Sequence, residues 1–264
     1  MTTDTHFAGS IPSIYEECLV PILFEPYADD LVGRAAALAP AKILELAAGT
    51  GAVSHKLAAA LPGTRIVATD LNPAMLEVAA SRDGRPNLSF APADAQSLPF
   101  ADGPFDLVVA QFGVMFFPDK VGAYCEARRV LSDRGSLLFN VWDRLDANAG
   151  SEVIHNAVRE ALPEPKPEFI SGTPFGYNDA AQIERELVAS GFEQVTVERV
   201  RRQSPAGSAA QLARGMCKGS PLANELALHP PEMRERALRA AITAAEEAEA
   251  AAPLTMSALV ITAV

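Results

Sequence analysis

Short apolar runs alternate with helical repeats from Ala41 to about Val141. Ile43–Leu46 is the first such run, and Val53–Leu61 then carries apolar residues at helical spacing until Pro62-Gly63 stops it. Arg65–Thr69 predicts a second strand, which ends on Asp70. Pro73–Ser81 predicts a helix, with Asn72 as its N-cap and Pro73 at the first helical position. Asn87–Ala91, Phe105–Ala110 and Ser136–Val141 predict three more strands, with a helix over Lys120–Leu131 between the last two. The run FDLVVA has the unbroken apolar character of a strand buried on both faces. Alternation of this kind implies parallel strands joined by right-handed crossovers, so the fold class is α/β with a doubly wound sheet.

Outside that region the pattern changes. Ile11–Leu38 is helical in pattern but broken by Pro21 and Pro26. Asp143–Gly191 predicts two helices around a proline-rich loop, Pro163–Pro174. Strands follow at Gln194–Val200 and Ala258–Val264, with a short helix Ala209–Met216 and a long Ala- and Glu-rich helix Pro231–Ala251 between them. We read the 264 residues as one domain. Its core takes about 41–142, 192–203 and 255–264, and a helical cap comes from 11–38, 143–178 and 204–230.

Composition removes several function classes. The 49% of hydrophobic and 21% of charged residues are ordinary for a globular chain. No apolar run approaches the roughly 20 residues that span a bilayer, so no membrane partner is expected. The N-terminus MTTDTHFAGS lacks a basic segment leading into an apolar one, which predicts a cytoplasmic protein. The formal charge of −11 argues against nucleic acid as a partner. The two short basic runs, Arg128-Arg129 and Arg201-Arg202, read as solvated ends of elements. Cys18, Cys125 and Cys217 are far apart and show no metal-ligand spacing, so they read as buried or half-buried apolar residues and no metal is expected.

The chemistry concentrates in ILELAAGTG, Ile43–Gly51. A strand runs into a turn of small residues, where Gly49 and Gly51 allow tight conformations and close approach of a ligand. The helix that follows offers unpaired N–H groups to an anionic group. Asp70, 19 residues beyond Gly51, stands at the position that places a carboxylate beside a ribose in doubly wound folds. A dinucleotide site would carry a third turn glycine, but Ser54 stands there. Glu45 lies inside the first strand, where an acid has no role toward a pyrophosphate but can meet a cation such as the ammonium of a methionine moiety.

Glu45-Leu-Ala-Ala-Gly-Thr-Gly51 resembles the first motif of class I S-adenosylmethionine-dependent methyltransferases. The segments beginning at Val67, Ala93 and Phe105 resemble the next three motifs. Asp94-Ala95-Gln-Ser-Leu98-Pro99-Phe100 has the form typical of the ubiquinone/menaquinone-methyltransferase-like (type 11) group. The resemblance covers about Ala41 to Val141. It implies a seven-stranded, mostly parallel Rossmann-like sheet, with Ala258–Val264 as an antiparallel seventh strand. It also implies S-adenosyl-L-methionine as cofactor, S-adenosyl-L-homocysteine as product, and these roles. Ala47, Gly49, Thr50 and Gly51 line the methionine portion and Glu45 lies near its amino group. Asp70 holds the ribose hydroxyls, Leu71 and Met75 flank the adenine, Asp94 and the backbone of Ala95 meet its edge, and Gln111 lies near the sulfonium. Tyr15, in the N-terminal helix, is the candidate to close over the cofactor.

Methyl transfer from a sulfonium needs alignment and exclusion of water more than a catalytic signature. The expected reaction is direct displacement onto a small-molecule acceptor. His155 is the candidate general base, and Phe112, Phe116, Trp142 and Met216 are candidate pocket residues. Two other readings stay open on sequence alone: an NAD(P)-dependent oxidoreductase, and a non-catalytic S-adenosylmethionine-binding regulator. Oligomeric state is not legible.

Overall fold

The structure, a computed structural model, describes residues 11–82 and 84–264. Helix α1 (Ile11–Ile14) leads into a π-helical segment (Tyr15–Phe24) and α2 (Glu25–Ala37). The alternating region follows as β1 (Lys42–Leu46), α3 (Ala52–Ala60), β2 (Arg65–Asp70), α4 (Pro73–Ala80), β3 (Leu88–Pro92), β4 (Phe105–Gln111), α5 (Lys120–Val130) and β5 (Leu131–Trp142). After it come α6 (Ala149–Ala161), α7 (Phe169–Gly172), α8 (Ala180–Ala189), β6 (Val195–Gln203), α9 (Ala209–Lys218), α10 (Leu222–Leu226), α11 (Pro231–Ala251) and β7 (Thr255–Ala263).

The seven strands form one sheet in the order β3-β2-β1-β4-β5-β7-β6. β1 pairs in parallel with β2 and β4, β2 with β3, and β4 with β5. β6 and β7 run in opposite directions. The Val264 N–H donates to Gln194 O at one end, and the Ser204 N–H donates to Leu254 O at the other. The sheet is therefore α/β and mixed, as the alternation and the resemblance imply. The chain leaves β1 toward β2 on one side and returns to β4 on the other. That reversal opens a crevice beyond the carboxyl ends of β1 and β4, where open α/β sheets bind their ligands.

The residues form two compact units. The first takes Tyr27–Val141, Asn178–Arg199 and Leu259–Val264. Its core is the apolar interior of β1 and β4, buried at most positions, which explains their largely hydrophobic character. Asn72 caps α4 as its spacing predicts, its side chain accepting from the Ala74 N–H at 3.0 Å. The second unit takes the described residues up to Pro26, Trp142–Tyr177 and Val200–Ala258. There α11 packs on α6 and α9, and α9 packs on the π-helical segment. Ser257 on β7 accepts from Asn148 and donates to Asp143, which fixes the entry to α6.

Four details depart from the sequence pattern. Neither proline breaks the N-terminal helix. Pro21 is taken up by the π-helical widening, and Pro26 falls in the first turn of α2, where a missing N–H is tolerated. β5 begins at Leu131, before the expected Ser136. Its pairing with β4 shifts register between Phe105 and Leu107, and exposed Asp133 and Arg134 in the irregularity hide the strand. The proline-rich loop contains a helix, α7, whose entry is held by Glu225 accepting from the N–H groups of Glu168 and Phe169. Cys125 is exposed, whereas Cys18 is half-buried and Cys217 buried.

Candidate active site

β1, β2, β3 and β4 are parallel, so their carboxyl ends share one edge of the sheet. That edge brings together Glu45, Ala47, Gly49, Thr50, Gly51, Asp70, Leu71, Met75, Asp94, Ala95 and Gln111. The turn after β1 is held in left-handed conformations, with φ of 50° at Ala47, 57° at Gly49 and 81° at Gly51. Glycine takes such angles freely, while alanine is strained there. Asp70 ties this turn to the end of β2, its carboxylate accepting from the Gly49 N–H at 2.8 Å and from the Asn72 N–H at 2.8 Å. Each oxygen keeps a further lone pair for a ribose hydroxyl.

Glu45 lies fully inside. Its Oε2 accepts from the Ser54 hydroxyl at 2.5 Å. Burial pushes its carboxyl up to about 8, the Ser54 hydrogen bond opposes this, and the Asp70 charge adds to it. Asp70 is itself raised, by burial against its two backbone hydrogen bonds. Among the described residues no ion pair reaches either acid. A buried and a half-buried carboxyl without a cation beside them favour a positively charged ligand. The buried Thr50 Oγ1, in the same turn, has no hydrogen-bond partner among the described residues. This donor set fits S-adenosylmethionine: a cation for Glu45, a ribose for Asp70, and a glycine turn for the chain between them. Ser54, standing where a dinucleotide site has glycine, is committed to Glu45.

The remaining cofactor candidates flank the turn. Met75 is buried, and its Cε would lie 3.6 Å from a Cβ on Gly49. Leu71 is exposed beside Asp70. Asp94 accepts from the Gln96 N–H at 2.9 Å, shaping the loop that carries buried Ala95. The sequence reading missed the side chain that holds this loop. Arg129 is no solvated helix end. It donates to Leu98 O, Phe100 O, Asp102 and Glu126, while Glu126 accepts from the Leu98 N–H. Its partners in the loop, Leu98, Phe100 and Asp102, lie 27 to 31 residues upstream, too far for local pattern to show.

Phe112 is buried, its ring edge-on against Tyr27 with centroids 5.3 Å apart, and its backbone is left-handed with φ 50°. Phe116, in a 3₁₀ turn (Val114–Phe116), is half-buried.

Tyr15, Trp142, His155 and Met216 belong to the second unit. Tyr15 stacks on Phe24 (5.0 Å), Phe24 tilts toward Trp142 (6.2 Å), and Trp142 stacks on Phe175 (5.8 Å). Met216 is buried in α9. His155 is buried in α6, and burial first, then Arg159, holds its imidazole below the usual range. His229 is buried with Nε2 3.1 Å from Pro165 O, and His6 lies outside the described residues. Among the described residues no group of three His, Cys, Asp or Glu could hold a metal ion, and no helix is long and apolar enough to cross a membrane.

Residues 44–139 match the family model of the methyltransferase domain. An uncharacterized protein of Mycobacterium bovis is 34% identical over 137 residues, 51% of this chain and 47% of the relative. The demethylmenaquinone methyltransferase of Thermus thermophilus is 41% identical over 102 residues, 38% of this chain and 46% of the relative. This chain thus spans about half the length of the curated relatives it matches. Haemonchus contortus phosphoethanolamine N-methyltransferase 2, solved with S-adenosylhomocysteine, shares the fold at a TM-score of 0.62 and 17% identity, over 100% of this chain and 60% of that one. Residues 44–139 are thus similar to a methyltransferase domain, and the relatives that resemble this region include a ubiquinone/menaquinone biosynthesis C-methyltransferase of Bordetella avium, 38% identical over 43% of this chain and 46% of the relative.

Proposed function

We propose that the protein transfers a methyl group from S-adenosylmethionine to a small-molecule acceptor by direct displacement, without a metal. The observation that carries this is the buried Glu45–Ser54 pair beside Asp70 and the glycine turn. An acid sealed beneath the turn suits the ammonium of a methionine moiety and opposes a pyrophosphate, which sets the NAD(P) reading aside. When bound, S-adenosylmethionine supplies an electrophilic methyl on a positively charged sulfur that departs as a neutral thioether.

The chain's own part is to bind and orient. Glu45 and Asp70 fix the two ends of the cofactor's methionine-ribose portion. Met75, Leu71, Asp94 and Ala95 receive the adenine. Gln111, at the end of β4, faces the reacting end, with Tyr15 as a covering residue. Phe112, Phe116, Trp142 and Met216 are the proposed acceptor residues. Their apolar character, and the aromatic row through Trp142, suit an acceptor with little charge. The matched relatives include a protein named demethylmenaquinone methyltransferase, which supports a small-molecule acceptor. His155, kept neutral near pH 7 by burial, is the proposed base for an acceptor that arrives protonated.

The test is release of S-adenosylhomocysteine when the purified protein meets S-adenosylmethionine and a panel of quinols, phenols and small amines. Product formation with any member supports transfer. Binding of S-adenosylhomocysteine without turnover on any acceptor would favour a regulatory protein instead.

A further inference from the structure

Asn140, near the end of β5, is fully buried in an otherwise apolar run. Its side-chain carbonyl accepts from the Phe112 N–H at 2.9 Å, and its main-chain carbonyl accepts from the same N–H at 3.1 Å. Its Nδ2 is buried and has no hydrogen-bond partner among the described residues. A half-satisfied buried amide destabilises the fold, so stability alone does not explain an asparagine here. Its orientation is fixed, because turning the amide over would set Nδ2 against a donor.

What Asn140 grips is a strained residue. Phe112 has φ 50°, a conformation that non-glycine residues seldom adopt without support. The next residue, Gly113, meets the turn after β1, where a Cβ would lie 2.5 Å from the Cβ of Ala47. Ala47 is itself left-handed, with φ 50°. The ends of β1 and β4 therefore break in the same sense and touch, at the crevice where the sheet reverses.

We propose that Asn140 is a positioning residue for cofactor binding: its side chain locks Phe112 in the left-handed turn and so keeps Gly113 seated on Ala47. This rests on the methyltransferase reading above. Without the lock, Phe112 drifts toward right-handed conformations, Gly113 moves, and the Ala47–Gly51 turn loses the shape that receives the methionine portion. The Phe112 N–H retains its main-chain acceptor, and removing the side chain also removes the unsatisfied Nδ2. Overall stability should therefore change little.

Three measurements on the full chain test this: S-adenosylhomocysteine affinity by calorimetry, melting temperature without ligand, and amide exchange of Phe112 and Gly113 by NMR. Asn140→Ala should weaken binding at least tenfold and speed the two amides at least tenfold, with an unchanged melting temperature. Asn140→Asp, which keeps the accepting oxygen, should bind within threefold of the native protein and restore slow exchange. Native affinity and native exchange in Asn140→Ala would overturn the proposal. So would a large fall in melting temperature in both variants, which marks a merely structural role. Failure of the native protein to bind S-adenosylhomocysteine would sink the methyltransferase reading and this proposal with it. Binding by the native protein together with native behaviour in Asn140→Ala would sink this proposal only.

Discussion

Raising the pH from 6 to 7.5 should tighten S-adenosylhomocysteine binding, because Glu45 must give up a proton to meet the ligand's ammonium. Free, its carboxyl sits at about 8, pushed there mainly by burial. A bound cation favours the charged form, so below pH 8 each binding event first removes that proton. The groups facing it are few. Asp70 comes from β2, the Ser54 hydroxyl comes from α3, and neighbouring His55 is turned to Ala79 O. With a single site at about 8, the apparent dissociation constant should fall about 25-fold over that range, or about 2 kcal/mol. About 0.9 proton should be released per ligand at pH 7. Calorimetry in two buffers of different ionisation heat reads both quantities. Glu45→Gln should bind weakly, with no pH slope and no proton release. A flat native profile with no released proton would refute the reasoning. The free protein carries the same linkage with its own sign. The folded value lies above the ordinary 4.5, so the stabilising share is complete below 4.5 and is lost as pH rises through about 8. Glu45→Gln should flatten that decline, and Asp70, also raised, leaves a remainder of the same sign.

Three further outcomes follow from the geometry. Gly113→Ala drives a methyl into Ala47. It should destabilise the fold by about 1–3 kcal/mol in urea titrations and weaken S-adenosylhomocysteine binding at least tenfold. Arg129→Ala frees the 94–100 loop. Because Arg129 and its acids are partly exposed, it should lower stability by only about 1 kcal/mol, while adenosine affinity falls severalfold. His155 is held below its usual 6.5, so its stabilising share is present above 6.5 and is lost as pH falls through the lowered value. His155→Gln should remove that part of the acid sensitivity in denaturation midpoints measured from pH 7.5 to 5.5.

What was legible in the sequence was local. β1 and β4 announce themselves because their interiors are buried and mostly apolar, interrupted only by Glu45 and Asp106. The glycine turn, the Asn72 cap and Asp70 lie within a few residues of the features they serve. The pieces that sequence reasoning missed join distant positions. Asn140 grips Phe112 from 28 residues away, and Arg129 closes a loop on the far side of β4. Asn140 did leave a trace, as the one amide in the apolar run SLLFNV. A polar side chain in a strand buried on both faces requires a hydrogen-bond partner.

The most direct test of the cofactor site is a thermal-shift titration with S-adenosylhomocysteine, with Asp70→Ala as control and NADH as competitor ligand. At 100 times its dissociation constant a specific ligand stabilises by about 2.7 kcal/mol, which at this chain length is a rise of roughly 5–10 °C. The account predicts that rise with S-adenosylhomocysteine, its loss in Asp70→Ala, and no shift with NADH. A shift with NADH alone, or no shift with S-adenosylhomocysteine at millimolar concentration, would contradict it.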